Sequence, residues 1–196
     1  MATEAVLERA PRQDNRKRAL MDAAATAFAA QGYRATTIRD VAGAVGMLPG
    51  SVYYHFPSKG ALLLAVYDEA VTGIAVRVDA AIAGKSDPWA RLEAAAVAHM
   101  ETVLDDSAYA KVMVRVLPED AEDAAAALTA ARDSYEARFR DLFAALDLPP
   151  GASPASLRLM LLGALNGAQV WYRPGGETPA AIARSFVRSL KTGVAP

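Results

Sequence analysis

Three times in this chain a polar residue stands directly before a proline at the head of a stretch with helical periodicity: Asp87-Pro88, Ser153-Pro154 and Thr178-Pro179. The pair marks a helix start. The polar side chain caps orphan backbone N–H groups, and proline fits the first helical position because its missing N–H had no partner there. Leu48-Pro49 and Leu117-Pro118 carry the proline without the polar cap. Stops fall at Gly32, Gly46, Gly84, the Pro149-Pro150-Gly151 cluster and Pro174-Gly175-Gly176. Between them apolar residues recur at helical spacing, and no run alternates as a strand does. The spacing predicts an all-α chain of nine helices, at about 14–31, 37–44, 48–55, 58–83, 88–105, 108–116, 119–146, 154–172 and 179–192.

At 53% hydrophobic and 22% charged residues, the 196-residue chain has the apolar content to bury a sizeable core. It has no cysteine, which excludes disulfides, thiolate zinc sites and cysteine nucleophiles. It has two histidines, no Glu-x-x-His pair and no glycine-rich phosphate loop. Asp105-Asp106 and Glu119-Asp120 are adjacent pairs that point apart on a helix, so they suit solvated caps better than acid–base work. No catalytic residue, metal site or cofactor is expected. No apolar run reaches membrane-spanning length, and Met1–Arg12 is charged where a signal peptide is apolar, so a cytoplasmic protein without a membrane partner is expected. Residues 12–60 carry seven basic and three acidic side chains, a balance of +4, whereas 61–196 carry thirteen basic and seventeen acidic, a balance of −4. A basic head on an acidic body suits a polyanion-binding module joined to a different kind of domain.

The head contains the run MLPGSVYYHFPSK at 47–59. On a helical wheel Val52 and Phe56 share one face with Leu48 beside them, and that face goes inward. Gly50, Ser51, Tyr53, Tyr54 and His55 take the other arc. Thr36-Thr37 caps the helix that begins Ile38-Arg39-Asp40, and Gly46 supplies the turn between the two helices. The arrangement predicts a helix-turn-helix. Gly50 lets a partner's surface approach the backbone, the hydroxyls and imidazole can donate to phosphate oxygens or base edges, and Lys59 adds a charge. A short tyrosine-rich helix also fits a protein interface, and spacing alone leaves both readings open. Ala27, Phe28, Ile38, Val41, Ala42, Val45, Val52 and Phe56 form the candidate mini-core.

The ordered series Phe28, Gly32-Tyr33, Thr36-Thr37-Ile38-Arg39-Asp40-Val41-Ala42, Gly46, Gly50-Ser51-Val52-Tyr53-Tyr54-His55-Phe56 and Ser58-Lys59 resembles the DNA-binding domain of the TetR family of bacterial transcriptional regulators. The resemblance covers the N-terminal third. It implies a homodimeric, ligand-responsive repressor that binds a palindromic double-stranded operator and is released by a small-molecule effector. Three parts follow: a disordered arm at 1–13, a three-helix DNA-binding domain at 14–60, and a ligand-binding and dimerisation domain at 61–196. By position, Ser51, Tyr53, His55 and Lys59 match DNA contacts of the family, mostly to phosphate. Thr37 matches a phosphate-contacting cap, and Arg39 a position that can read a base. Leu48 stands where the family often has a capping Ser, and Pro49 where it often has a polar base reader. That shifts sequence reading towards Arg39, towards contact from Leu48 and Pro49 with thymine methyls, and towards DNA shape.

In the body, Leu157, Leu161, Ala164 and Ala168 form one stripe, with Gly163 and Gly167 four apart beside it. Ile182, Phe186 and Leu190 repeat at four-residue steps on the next helix. Two such helices from each of two chains would make a four-helix dimer interface, as the resemblance also implies. Packing within one chain is the alternative. Candidate pocket groups are His99, Met100, Tyr109, Met113, Arg115, Tyr135, Phe139, Asn166, Gln169 and Trp171, with Arg115 able to hold a ligand anion or a structural acid. The runs MVRVLP and WYRPGG are similar to TetR-like regulators that respond to acyl-CoA thioesters. Two other classes are weighed: an all-α enzyme, and a dimeric scaffold without a DNA role.

Overall fold

A computed structural model describes residues 9–193, with side chains from Asp14 onward. Among these residues it contains nine α-helices and no strand: α1 (Arg9–Gln31), α2 (Ile38–Ala44), α3 (Pro49–Val52), α4 (Lys59–Ile82), α5 (Pro88–Val103), α6 (Ala108–Arg115), α7 (Ala125–Ala144), α8 (Pro154–Trp171) and α9 (Pro179–Gly193). Residues 1–8 of the expected arm lie outside the described residues, and the backbone is helical from Arg9.

The caps do the work the sequence assigns them. Asp87 Oδ2 accepts from the Ala90 N–H at 2.7 Å, and Ser153 Oγ accepts from the Ser156 N–H at 3.3 Å. Each such cap is worth about 1 kcal/mol over alanine. Two expected helices are shorter than predicted. The helix expected at 119–146 begins only at Ala125, because Pro118–Asp120 form a 3₁₀ turn in which the Asp120 carboxylate accepts the Leu117 N–H at 3.0 Å. The helix expected at 48–55 ends at Val52, and Tyr53–His55 continue as a turn whose His55 N–H reaches the Val52 carbonyl at 2.9 Å.

Contacts divide the chain into two compact units, Met1–Ala70 with Ser107–Thr129, and Val71–Asp106 with Ala130–Pro196. The first unit is larger than the 14–60 head expected from sequence. Leu62, Leu63, Val66 and Tyr67 of α4 are buried. Helix α6 packs along α1, where Tyr109 Oη donates to Asp22 Oδ1 at 2.7 Å. The core of this unit joins Leu20, Ala24 and Phe28 of α1 to Ile38, Val41, Ala42, Val52 and Phe56, while Ala27 and Val45 of the expected mini-core are only half-buried. In the second unit, α5 packs against both α8 and α9. Leu92, Ala95, Ala96, Met100, Phe139, Leu165 and Ala183 are buried there.

Candidate nucleic-acid interface and the helical body

Helix α2 starts on a capping box. Thr37 Oγ1 accepts from the Asp40 N–H at 3.2 Å, and Asp40 Oδ2 accepts from the Thr37 N–H at 2.8 Å. The hydrogen bonds from Thr37 hold the Asp40 carboxyl below the usual carboxylate range. The chain leaves α2 through Gly46, whose φ of +66° lies in the left-handed region that glycine alone enters freely, and the Met47 N–H closes the turn on the Ala42 carbonyl at 2.8 Å. Helix α3 then seats Val52 and Phe56 in the core, fully buried. Gly50, Ser51, Tyr53 and Tyr54 are exposed, as are Thr37 and Arg39, and Pro49 and His55 are half-buried.

Two residues at this end behave unlike their neighbours. Leu48, expected on the inward face with Val52 and Phe56, is instead 76% exposed, because it precedes α3 as its extended N-cap, where it makes no side-chain cap bond. It forgoes a cap worth about 1 kcal/mol and gains no burial in return. Lys59 is drawn inward. Its ammonium donates to the carbonyls of Tyr33 at 2.9 Å and Thr36 at 3.0 Å and lies 4.2 Å from the Tyr33 ring centroid. The lysine therefore clamps the α1–α2 turn that presents Thr37.

The same turn carries ties that sequence reasoning missed. Tyr33 Oη donates to Asp123 Oδ1 at 3.2 Å, and burial followed by the nearby carboxylate pushes its phenol up to about 12. Arg34 donates to the Glu119 carbonyl at 2.7 Å and pairs with Asp120 at 3.5 Å. Gly60 is where the Asp123 carboxylate approaches α4 too closely for a β-carbon. These partners lie 63 to 90 residues apart in the chain, so no local pattern announces them.

The second unit gathers four of the predicted pocket groups. Tyr135 Oη lies 2.7 Å from His99 Nδ1, Asn166 Oδ1 lies 3.0 Å from His99 Nε2, and the Phe139 ring meets the imidazole edge-on at 5.6 Å. Burial lowers the imidazole to about 4, although the Asn166 bond opposes the shift. A neutral ring satisfies both partners in one tautomer: Nε2–H donates to Asn166 Oδ1, and Nδ1 accepts the Tyr135 O–H. Burial also raises the Tyr135 phenol, so the cluster holds no charge at neutral pH. Met100 is buried on the same helix as His99. Gln169 Nε2 donates to the Val103 carbonyl at 2.8 Å, leaving Oε1 buried with no protein partner.

The other predicted pocket groups are not brought to this cluster. Tyr109, Met113 and Arg115 stand on α6 in the first unit. Arg115 is exposed, because the apolar face of α6 buries Val112 and Met113 and turns it outward. Trp171 is half exposed at the end of α8, 6.1 Å from the Phe186 ring.

On α8 the expected stripe splits. Leu161 and Ala168 are buried within their own chain, as is Leu190 of α9, because α5 already covers that side. The outward side holds Leu159, Met160, Gly163, Val170 and Trp171. Leu157, Ala164, Gly167, Ile182 and Phe186 are half-buried at its margin. Between α8 and α9 runs an apolar groove of about 320 Å³, lined by Leu157, Met160, Leu161, Ala164, Phe186, Ser189, Leu190 and Gly193. A β-carbon at Gly163 would meet no atom within 4 Å. Among the described residues no group of three acidic or histidine side chains is placed to hold a metal, and no helix is long and apolar enough to cross a membrane.

The first unit carries a helix-turn-helix and the second a polar cluster around the buried His99, and comparison with known proteins gives the family. Residues 20–66 match the family described as bacterial regulatory proteins, tetR family, and residues 85–194 match the tetracyclin repressor-like C-terminal domain. The chain is 30% identical over 198 residues to the HTH-type transcriptional repressor KstR2 of Rhodococcus jostii (strain RHA1), covering 93% of each. A solved tetR-family regulator from Rhodococcus RHA1 superposes with a TM-score of 0.77 at 26% identity, over 91% of this chain and 96% of that one. AibR, solved with isovaleryl coenzyme A and operator DNA, shares the fold at a TM-score of 0.75 and 23% identity, over 88% and 96%. The chain belongs to the TetR family, and its class is that of the ligand-responsive, DNA-binding transcriptional repressors rather than of enzymes.

Proposed function

We propose that this protein represses transcription as a homodimer bound to a palindromic operator and leaves it when a small molecule binds the helical body. The reading is supported by the burial of Val52 and Phe56 in the core while Arg39, Gly50, Ser51, Tyr53 and Tyr54 of the same helix-turn-helix stay exposed. In this reading Ser51, Tyr53, Tyr54 and His55 donate to phosphates, Thr37 fixes the start of α2 through its hydrogen bonds with Asp40, and Arg39 forks onto a guanine edge. Lys59 orders the turn and adds its charge at the edge of the interface. The outward side of α8, with the α8–α9 groove, pairs with its copy across a two-fold axis. Relative to the sequence expectation, Met160, Gly163 and Gly167 take the centre of that interface and Leu161 and Ala168 serve as its support.

The effector meets the His99–Tyr135–Asn166 cluster and the open acceptor of Gln169. These are uncharged groups, suited to a carbonyl, hydroxyl or amide rather than to a bare anion. An acyl-CoA thioester is the first ligand to test, AibR of the same fold having been solved with one. Selection from a random duplex library with purified protein tests the whole. The expected result is a palindrome with half-sites about one helical turn apart. Absence of any enriched motif at low salt would refute the DNA role.

A further inference from the structure

In a helix-turn-helix the N-terminal residues of the second helix contact base edges. Here those residues are Leu48, Pro49, Gly50 and Ser51, with no amide, guanidinium or ammonium among them. Resting on the DNA-binding reading, we propose that Leu48 is a specificity-determining residue that reads the 5-methyl group of a thymine in each half-site.

Three observations converge on it. Leu48 is 76% exposed, so its apolar surface does nothing for the core. It occupies the cap position of α3 without making a cap bond, where Ser, Thr, Asp or Asn would stabilise the helix. A residue that breaks two local rules for folding marks a place where another requirement wins. The third point is chemical. In the major groove every base-pair edge is a row of donors and acceptors, and the thymine methyl is the one apolar group that the four common bases display there. An aliphatic side chain at the leading end of the helix has that single favourable partner. Pro49, half-buried beside it, fixes the backbone so that Leu48 stays extended at φ −75° and ψ 143°. Ser51 can bond to any base and so adds little selection.

The test uses the full-length protein and the operator recovered by library selection. Each thymine is replaced symmetrically by deoxyuridine, which removes the methyl and leaves base pairing unchanged. At one position per half-site the wild type should lose about fourfold in affinity for each methyl, or about 15-fold with both removed. The Leu48→Ala protein, whose fold is checked by circular dichroism, should bind the two duplexes within twofold of each other. Either of two results overturns the proposal: a wild type indifferent to deoxyuridine at every thymine, or a Leu48→Ala protein that still pays the full penalty. Both leave DNA binding standing. Failure to select any operator would sink the DNA reading and this proposal together, and is distinguished because no duplex binds at all.

Discussion

The head and the body each expose apolar surface, and they do so differently. On the head, Leu48, Tyr53 and Tyr54 are exposed among Arg39, Ser51 and the half-buried His55. On α8, Leu159, Met160, Val170 and Trp171 are exposed around Gly163, with Ser156 and Asn166 the exposed polar residues on that side of the helix. The first surface interleaves hydroxyls and a guanidinium with rings, which suits a hydrated polyanion whose contacts are mostly hydrogen bonds. The second is close to unbroken hydrocarbon beside a residue without a side chain, which suits a dry partner at close approach. Exposure alone does not tell a DNA face from a dimer face. What lies between the apolar residues does.

The largest expected effect breaks the second surface. Met160→Asp places a carboxylate in the proposed dry interface, at a cost of several kcal/mol. Gly163→Leu fills space that is empty within the chain, so the fold survives while close approach is lost. Both variants should keep their helical circular dichroism and weaken the dimer by about a hundredfold or more, as sedimentation would show. A wild-type dimer in both would mean that α8 is not the contact.

Acid should separate the two regions. Below about pH 6.5 the unfolded chain takes up a proton at His99, whereas the folded imidazole stays neutral down to about 4. The unfolded state binds more protons across that window, so stability falls as pH drops through it, by up to about 3 kcal/mol. The head's Asp40 acts lower: its depressed carboxyl keeps the α2 cap intact above the ordinary carboxylate range, and that contribution is lost as pH falls through the lowered value. Urea titrations at pH 7 and 4.5 should show a smaller loss for His99→Gln than for the wild type. Equal losses would remove His99 from the account.

On the head, Arg39→Ala should cost about 1–3 kcal/mol of discrimination at one base pair and leave binding to random DNA nearly unchanged. Unchanged operator preference would leave Arg39 as a phosphate contact only. Smallest is Lys59→Met, which removes two hydrogen bonds to main-chain carbonyls. Thermal unfolding should show a loss of about 1–2 kcal/mol. Unchanged stability with weakened DNA binding would return Lys59 to the simple phosphate role the sequence assigned it.

What the sequence shows and what it hides follow from the range of the forces involved. Helix starts at Asp87-Pro88 and Ser153-Pro154 are local chemistry, and the structure places them within a residue of the expected ends. The inward pair Val52 and Phe56 is set by four-residue spacing and was legible for the same reason. On α8 two apolar stripes compete, and composition cannot say which one α5 covers. The spacing picks out Gly163 and Gly167, which lie exposed and half-buried, but it also picks Leu161 and Ala168, which are buried within the chain, and it passes over the exposed Met160. Tyr109 was read as a pocket group because its bond to Asp22 spans 87 residues. The sequence offers His99, Tyr135 and Asn166 as separate pocket candidates but cannot pair them, because the partners of His99 arrive from two other helices.

The central claim is that two heads, joined through α8 and α9, read one palindrome. The most direct measurement is the stoichiometry and affinity of the protein on the selected palindrome against a duplex carrying a single half-site. The account predicts two chains on the palindrome and, on the half-site, binding weaker by orders of magnitude, because the second head then finds no base edges to read. One chain bound to each duplex with equal affinity would contradict it.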